Sequence, residues 1–427
     1  MGMPHFPLPS WKVGMKYNLD NITKLLQALD NPHLRLPPTI HIAGTNGKGS
    51  SVASLKSIFE TAGYKVHAYT SPHLVDFNER IVLRGEKISD AYLFEMCEKT
   101  RLASIKANIE PSFFEGITAL AFLAFANIDA DILILETGLG GRLDATNVLP
   151  KPLITLITPI SYDHLDILGE TLPLIATEKA GIIKSGVPCV ISCQVDEVYA
   201  VLLDKCNELD APSFCYEYDF ALKKTAKGFI YQSKNYNYEF SKPTLLGDHQ
   251  LINATAVIAT IGLINNQFNI TAENIERGLQ NVQWPARIQK IPQEKYSHFA
   301  SSHVQIWVDG AHNSGGAQVL ASWIADNLKS PTYLILGMTK NRNIEEFCYH
   351  LKPLIIRGYG VRVLSEVLSY SSSEVSARGG STGIEFVVAD SLEQAIREIS
   401  NLQQAETNIM VTGSLFLASD FLKLIRR

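Results

Sequence analysis

Gly44-Thr45-Asn46-Gly47-Lys48-Gly49-Ser50 combines three glycines, a lysine and two hydroxyls in a run suited to holding a phosphate chain. Glycines let backbone N–H groups converge on an anion at the start of a helix, where the peptide dipoles are positive. Lys48 could add a point charge to the phosphates and Ser50 a hydroxyl to a magnesium ion. The general Walker spacing is not met, because Ile42 stands where its first glycine belongs and Gly49 where Ser or Thr should follow the lysine. A ligand-free glycine turn between a strand and a helix remains the plainer alternative.

What is done with a phosphate depends on the acids, histidines and lysines further along. Glu136 ends the apolar run 131–135 and enters a glycine turn, so it could reach a magnesium ion or only cap a loop. Asp163-His164 follows another apolar run by a short loop; a histidine there can ligate a metal while a carboxylate orients it. Ser71, followed by Pro72 and His73, could add a hydroxyl ligand. Lys179, in Glu178-Lys179-Ala180, reads by itself as half of a surface salt bridge.

These residues need a scaffold, and the apolar pattern supplies one. Residues 39–43 read as a buried parallel strand, and Val52, Leu55, Ile58 and Phe59 recur at helical spacing within 51–61. Strand-like runs at 66–69, 131–136, 153–158 and 187–192 alternate with helix-like segments at 90–108 and 113–126. That alternation predicts an α/β fold: an N-terminal doubly wound ATPase domain with a phosphate loop. Aromatic and polar alternation over 214–241 predicts a small antiparallel insertion, followed by helices at 249–264 and 271–281. Trp284-Pro285 and Ile291-Pro292 suggest a boundary near 286–302, giving domains of 1–290 and 298–427. Strands at 304–308, 333–336, 361–364, 386–388 and 409–412 predict a smaller Rossmann-like C-terminal domain, with 371–382 as a mobile Ser- and Gly-rich loop.

Two domains are also what 427 residues lead one to expect. The net charge of −5 gives no reason to expect nucleic acid or an anionic membrane as partner. The longest apolar stretch, 117–128, is short of a membrane span and reads as a buried helix. Residues 1–38 are proline-punctuated around an amphipathic segment, Leu19-Ile22-Leu25-Leu26-Leu29. They show no secretory signal, and Phe6 stands where a myristoylation pattern wants Ser or Thr. Six scattered cysteines (97, 189, 193, 206, 215 and 348) read as thiols, and the expected compartment is the cytoplasm.

Six motifs occur in order: Gly44 to Ser50; Ser71-Pro-His-Leu74 with Phe77-Asn-Glu-Arg80; Glu136 to Asn147; Asp163-His164; Glu178 to Ile182; and Asp309-Gly-Ala-His-Asn313. Together they resemble the folylpolyglutamate synthase and dihydrofolate synthase family, a branch of the Mur ligase superfamily, from about residue 15 to the C-terminus. The resemblance implies ATP-dependent ligation of L-glutamate to dihydropteroate and to tetrahydrofolate through an acyl phosphate, with ATP and Mg2+ at two sites. It assigns Gly44 to Ser50 with Asn253, Arg287 and Asp309 to the nucleotide, and Ser50, Ser71, Glu136, His164 and Lys179 to metal. Lys179 would carry a carboxyl group on its amine, which reverses its plain reading. Lys48, His164, Lys179, Asp309 and His312 would serve catalysis; Phe113, Phe114, Glu115, Leu143, Asp144 and Ala145 would contact the pteroate, although a Phe pair opening an apolar helix also suits a core. Thr412-Gly413-Ser414 resembles the family's terminal turn, or is a helix cap.

The expected partners are small molecules, with a monomer as the expected assembly. The alternatives are a monofunctional folylpolyglutamate synthase, another Mur-type amino acid ligase, or a nucleotide-dependent binding protein. Two departures stand out. Ala286 replaces a glycine often found in the family, so a positive φ there would be strained. Asn341 and Asn343 replace acids, which weakens the case for an ionic role of that loop.

Overall fold

The computed structural model describes residues 18–234, 236–402 and 405–426. The readings of residues 1–17, including the absent signal and Phe6, lie outside the described residues. The chain divides into two compact units. One comprises the chain up to Ser161 with 165–244 and 250–283; the other comprises 162–164, 245–249 and the chain from Trp284 onward.

The first unit is built on an eight-stranded sheet, among the described residues, of β1 (Thr39–Ala43), β2 (Val66–Tyr69), β3 (Ile81–Leu83), β4 (Glu86–Lys87), β5 (Ile132–Glu136), β6 (Ile154–Ile157), β7 (Cys189–Ile191) and β8 (Ser213–Cys215). Their order is β4-β3-β2-β5-β1-β6-β7-β8, parallel from β2 to β8 and antiparallel at the β3 and β4 edge. Alternation of side chains sends Ile132 and Ile134 into one core and Leu133 and Leu135 into another. The first core takes Val52, Leu55, Ile58 and Phe59 of helix Lys48–Thr61 and much of helix Asp248–Ile264. The second takes Ile22, Leu25 and Leu26 of helix Asp20–Ala28 and the apolar helix Phe113–Asn127. Phe122 and Phe125 there are at most 1% exposed, and each such ring contributes about 2–3 kcal/mol by burial. The run 117–128 is thus core, and no helix of the described residues is long and apolar enough to cross a membrane.

The antiparallel insertion is present as β9 (Phe220–Lys224), β10 (Gly228–Ser233) and β11 (Asn237–Ser241). It starts later than residue 214, because Phe214 and Cys215 belong to β8 and extend the parallel sheet beside Val190 and Ile191.

The second unit carries a six-stranded sheet among the described residues: β12 (Gln289–Lys290), β13 (Val304–Val308), β14 (Thr332–Leu336), β15 (Arg357–Gly360), β16 (Phe386–Val388) and β17 (Thr407–Thr412), in the order β12-β13-β17-β14-β15-β16. All but β12 run parallel. Two expectations fail here. The strand is 357–360 rather than 361–364: Gly358 and Gly360, poor strand formers by composition, lie where close packing on the Phe386 ring and on Ser376 leaves no room for a Cβ. The Ser- and Gly-rich stretch is not a loop but helix Ser372–Gly380, started by a reciprocal capping box between Ser371 and Glu374. All six cysteines are free thiols, five buried and Cys193 half-buried.

Candidate active site

Because β2, β5, β1 and β6 are parallel, their carboxyl ends share one edge, where ligands gather in sheets of this kind. β1 delivers the glycine loop to that edge, β2 Ser71, β5 Glu136 and β6 the turn from Thr158 to Ser161. Gly44 has φ 147°, and a Cβ on it would strike Thr158 Oγ1. Gly47, at φ 90°, opens helix Lys48–Thr61, and a Cβ there would come within 2.5 Å of Asn253 Oδ1. The loop is pinned to β6: Thr45 N donates to the Pro159 carbonyl (3.0 Å), Thr45 Oγ1 to the Ser161 carbonyl (3.1 Å) and Asn46 Nδ2 to Ser161 Oγ (2.9 Å). The first-turn amides from Lys48, Gly49 and Ser50 therefore face a preformed cradle.

Two ammonium groups converge on this loop. Lys48 Nζ donates to the carbonyls of Gly44 (3.0 Å) and Thr45 (3.2 Å), and Lys179 Nζ donates to the same Gly44 carbonyl (2.8 Å). Lys179 is only 4% exposed, and Glu178 pairs instead with Arg142 (2.8 Å), so the surface salt bridge is corrected to a buried lysine at the loop. Gly141 and Gly181 permit this approach, since a Cβ on either would meet backbone of 178–179 or 142.

Glu136 is buried, and its Oε2 accepts from the Ser71 amide (3.2 Å). Ser50 Oγ accepts from Gln250 Nε2 (3.2 Å), and Gln250 in turn holds the Asn253 amide (3.1 Å). One carboxylate with two hydroxyls is a sparse, hard oxygen set. No group of three His, Cys, Asp or Glu side chains that could cage a metal occurs among the described residues. The carboxylate and the two hydroxyls are oxygen donors of the kind that Mg2+ takes, since it keeps several waters and binds through few protein oxygens and phosphate.

The residues assigned to pteroate lie in the same unit and do structural work as well. Glu115 completes a capping box with Ser112 at the start of helix Phe113–Asn127. The Phe114 ring packs on Gly138, where a Cβ would overlap it. Leu143 is half-buried and Ala145 buried. Asp144 is buried; burial pushes its carboxyl up, opposed by hydrogen bonds from Thr146 and from the Leu139 amide (2.8 Å). Thr146 Oγ1 donates to Asp144 Oδ1 and sits 2.9 Å from His41 Nε2, so a buried Asp144-Thr146-His41 chain ties this loop to β1.

His164, Arg287, Asp309 and His312 fall in the second unit, whereas Ser50, Ser71, Glu136, Lys179 and Asn253 fall in the first. Around Asp163, the second unit gathers the Arg342 guanidinium, His312 Nε2 (3.5 Å), Asn313 Nδ2 (3.1 Å) and His164 Nε2 (3.7 Å). Burial alone would raise this carboxyl, but hydrogen bonding and charge from His312, with the charges of Arg342 and His164, hold it well below the usual carboxylate range. The loop that lost its acids at 341 and 343 thus keeps an ionic role through Arg342, while Asn343 caps helix Ile344–Leu351. Sequence reasoning missed Arg342 because it looked there for acids.

Ala286 does adopt a positive φ, 57°, and Ile288 does so at 47°. Asp309 clamps this turn: its Oδ2 accepts from the Ile288 amide and its Oδ1 from the Ala311 amide, both at 2.8 Å. Arg287 Nη1 returns to the Ala286 carbonyl (2.8 Å). His249 is buried beside this group, and burial lowers its imidazole to about 4, with Asp309 raising it and Arg287 lowering it. Ser414 caps the last helix through the Leu417 amide (3.0 Å), so the terminal turn is at least a cap.

Comparison with known proteins agrees with this anatomy. Residues 42–261 match the model of the Mur ligase middle domain, and residues 292–424 match the dihydrofolate synthetase C-terminal domain. The chain is 31% identical to the dihydrofolate synthase/folylpolyglutamate synthase of Bacillus subtilis, over 97% of this chain and 96% of that one. It is 32% identical to the folylpolyglutamate synthase of Lacticaseibacillus casei, over 93% and 92%. An E. coli FolC structure in complex with DHPP and ADP superposes with a TM-score of 0.86 at 25% identity, covering 97% of this chain and 94% of that one. A bifunctional folylpolyglutamate synthase/dihydrofolate synthase with Mn, AMPPNP and L-glutamate bound gives 0.85 at 25% identity, over 97% and 95%. The ordered motifs, the pinned glycine loop and these matches lead to one conclusion: the chain belongs to the dihydrofolate synthase/folylpolyglutamate synthase family of Mur-type ligases.

Proposed function

We propose that this chain is an ATP-dependent ligase that adds L-glutamate to dihydropteroate and to tetrahydrofolate through an acyl phosphate. The observation that carries the reading is the convergence of Lys48 and Lys179 on the Gly44 carbonyl beside a cradle of helix N-terminal amides. A carboxylate and a triphosphate repel each other, so joining them requires cations already in place, which this loop provides.

In this reading the amides of Gly47 to Ser50 and the Lys48 ammonium hold the phosphates. Ser50, Ser71, Glu136 and a carboxylated Lys179 would hold Mg2+, which would supply Lewis-acid charge to the phosphoryl group, and His164 would serve as a metal ligand as well. Two ammonium groups on one carbonyl repel. Loss of a proton from the Lys179 ammonium, then addition of the free amine to CO2 with loss of a second proton, replaces that repulsion by attraction and yields an oxygen ligand. Arg287, Asp309 and Asn253 serve the nucleotide. Asp163 orients His312 and Arg342, and the Arg342 guanidinium is suited to a carboxylate of incoming glutamate. Phe113, Phe114 and the 143–145 turn serve the pteridine acid. We place the enzyme in the cytoplasm and propose that it acts as a monomer, for which light scattering after gel filtration should return a single species near 47.2 kDa.

Purified protein should be given Mg2+, ATP and glutamate with dihydropteroate, tetrahydrofolate or a peptidoglycan precursor in parallel, reading phosphate release and product mass. One glutamate added to each pteridine per phosphate released is the expected result. Addition to tetrahydrofolate alone makes the enzyme a dedicated polyglutamylase. Addition to neither overturns the folate assignment in favour of a cell-wall ligase or a nucleotide-binding protein.

A further inference from the structure

Arg80 has an unusual setting for an arginine. It is only 7% exposed, and among the described residues no carboxylate pairs with it. Its Nε donates to His73 Nδ1 (2.9 Å), and among the described residues no acceptor meets either terminal nitrogen. The guanidinium carbon lies 5.6 Å from the Phe77 ring centre and 6.0 Å from that of Phe113, and the two rings meet edge to face at 6.5 Å. Cation–π attraction offsets part of the cost of burying the charge, but a buried guanidinium with its fork unused remains poorly compensated. Burial lowers its pKa, and the nearby groups acting the other way are Tyr69 and Glu136.

The position is as informative as the deficit. Thr70 N donates to the Arg80 carbonyl (3.0 Å) and Thr70 Oγ1 to the Glu79 carbonyl (3.2 Å), which fastens Arg80 to the carboxyl end of β2 beside Ser71. Glu79 is locked in turn by amides of Leu74 (2.8 Å), Val75 (3.2 Å) and Asp76 (3.2 Å). The tether at His73 leaves the two Nη groups as a fixed fork, the geometry that matches the two oxygens of a carboxylate. Phe77 and Phe113 offer flat apolar surface for a ring attached to that carboxylate.

We infer that Arg80, oriented by His73 and walled by Phe77 and Phe113, forms the subsite for the aromatic carboxylate that the enzyme activates. This deepens the proposed function and rests on it. Arg80 binds and orients the acid; it exchanges no bond or proton. A lysine cannot replace it, because a point charge lacks the fork.

The test compares 7,8-dihydropteroate with its carboxamide analogue, which keeps the rings and loses the charge. In calorimetric titrations of the full chain, the wild type should bind the carboxamide roughly 10- to 100-fold more weakly than the acid, the range of a charge-assisted bidentate contact. Arg80→Gln should bind both ligands alike, at the weaker level, with ATP affinity and glutamate KM within about twofold of wild type. Arg80→Lys should fall between. Equal weakening of both ligands in Arg80→Gln, or an effect on glutamate alone, overturns the inference. Should that variant misfold, the wild type still answers: dihydropteroate, but not the carboxamide, should shield Arg80 from phenylglyoxal, as read by peptide mass spectrometry, and equal labelling overturns the subsite. If the wild type adds no glutamate to dihydropteroate, both proposals fall; if it does and Arg80→Gln discriminates the ligands as wild type does, only this one falls.

Discussion

Gly47 and Lys179 show how much of the chemistry hangs on single positions. Alanine at 47 must hold φ near 90° and push its Cβ against Asn253. We expect Gly47→Ala to cost about 1–3 kcal/mol of stability and to weaken ATP binding at least tenfold, measured by urea denaturation and calorimetry. Lys179→Ala removes the proposed ligand together with its hydrogen bond to the Gly44 carbonyl. Its kcat should fall by about two orders of magnitude or more, and a short carboxylate such as propionate should restore part of it if the functional form is a carbamate. Rescue by propylamine instead would show that the ammonium itself is the working group. The surroundings of Lys179 were not legible in the sequence, because an adjacent glutamate suggests an ion pair. Only folding reveals that Glu178 turns to Arg142 while its neighbour turns inward. Arg80 was equally hidden: nothing in Asn78-Glu79-Arg80 says that the glutamate turns to backbone amides and that, among the described residues, no carboxylate pairs with the arginine.

Helix Phe113–Asn127 illustrates the same tension between scaffold and site. Its first turn carries Phe113, Phe114 and Glu115, all assigned to substrate by resemblance, yet Glu115 also caps the helix by accepting from the Ser112 amide (2.7 Å). Ser112→Ala should therefore cost about 1 kcal/mol, read as a lower urea midpoint. Glu115→Gln separates the two roles, because glutamine preserves the capping box but not the charge. Unchanged stability with a raised KM for the pteridine acid would assign the charge to substrate; no change in either would leave the residue as a cap. Elements of this kind were readable where period and flanks agreed, as in 39–43, 66–69 and 304–308. They were misread where composition opposed packing. Ser371 to Gly380 looks like a loop by its serines and glycines, but the capping box fixes its start and a glycine at 379 lets it lie on the Phe386 ring.

Two histidines buried neutral, one in each unit, contribute to the pH dependence of the whole chain, and burial lowers His33 and His67 in the same direction. His41, fully enclosed on β1, is lowered to about 3 by burial and by the charge of Lys184, and His249 is lowered to about 4. Both lie below the ordinary value of 6.5, so the unfolded chain binds more protons between pH 6.5 and each folded value. Stability is therefore complete above pH 6.5 and is lost as pH falls, by about 1.4 kcal/mol per unit for each histidine. From pH 7 to pH 5 each should remove about 2 kcal/mol, a large share of the 5–15 kcal/mol typical of a domain. The low carboxyl of Asp163 adds nothing in this window, since it and its unfolded counterpart are both ionised there. His41→Gln keeps a donor toward Thr146 Oγ1 but cannot gain a proton, so it should shed part of the acid sensitivity while lowering stability at pH 7 only modestly. Urea denaturation at pH 7, 6 and 5 would decide: a midpoint that falls in the wild type and falls distinctly less in the variant supports a neutral, buried His41. Parallel lines for the two proteins would mean that His41 is as free to protonate in the folded chain as in the unfolded one.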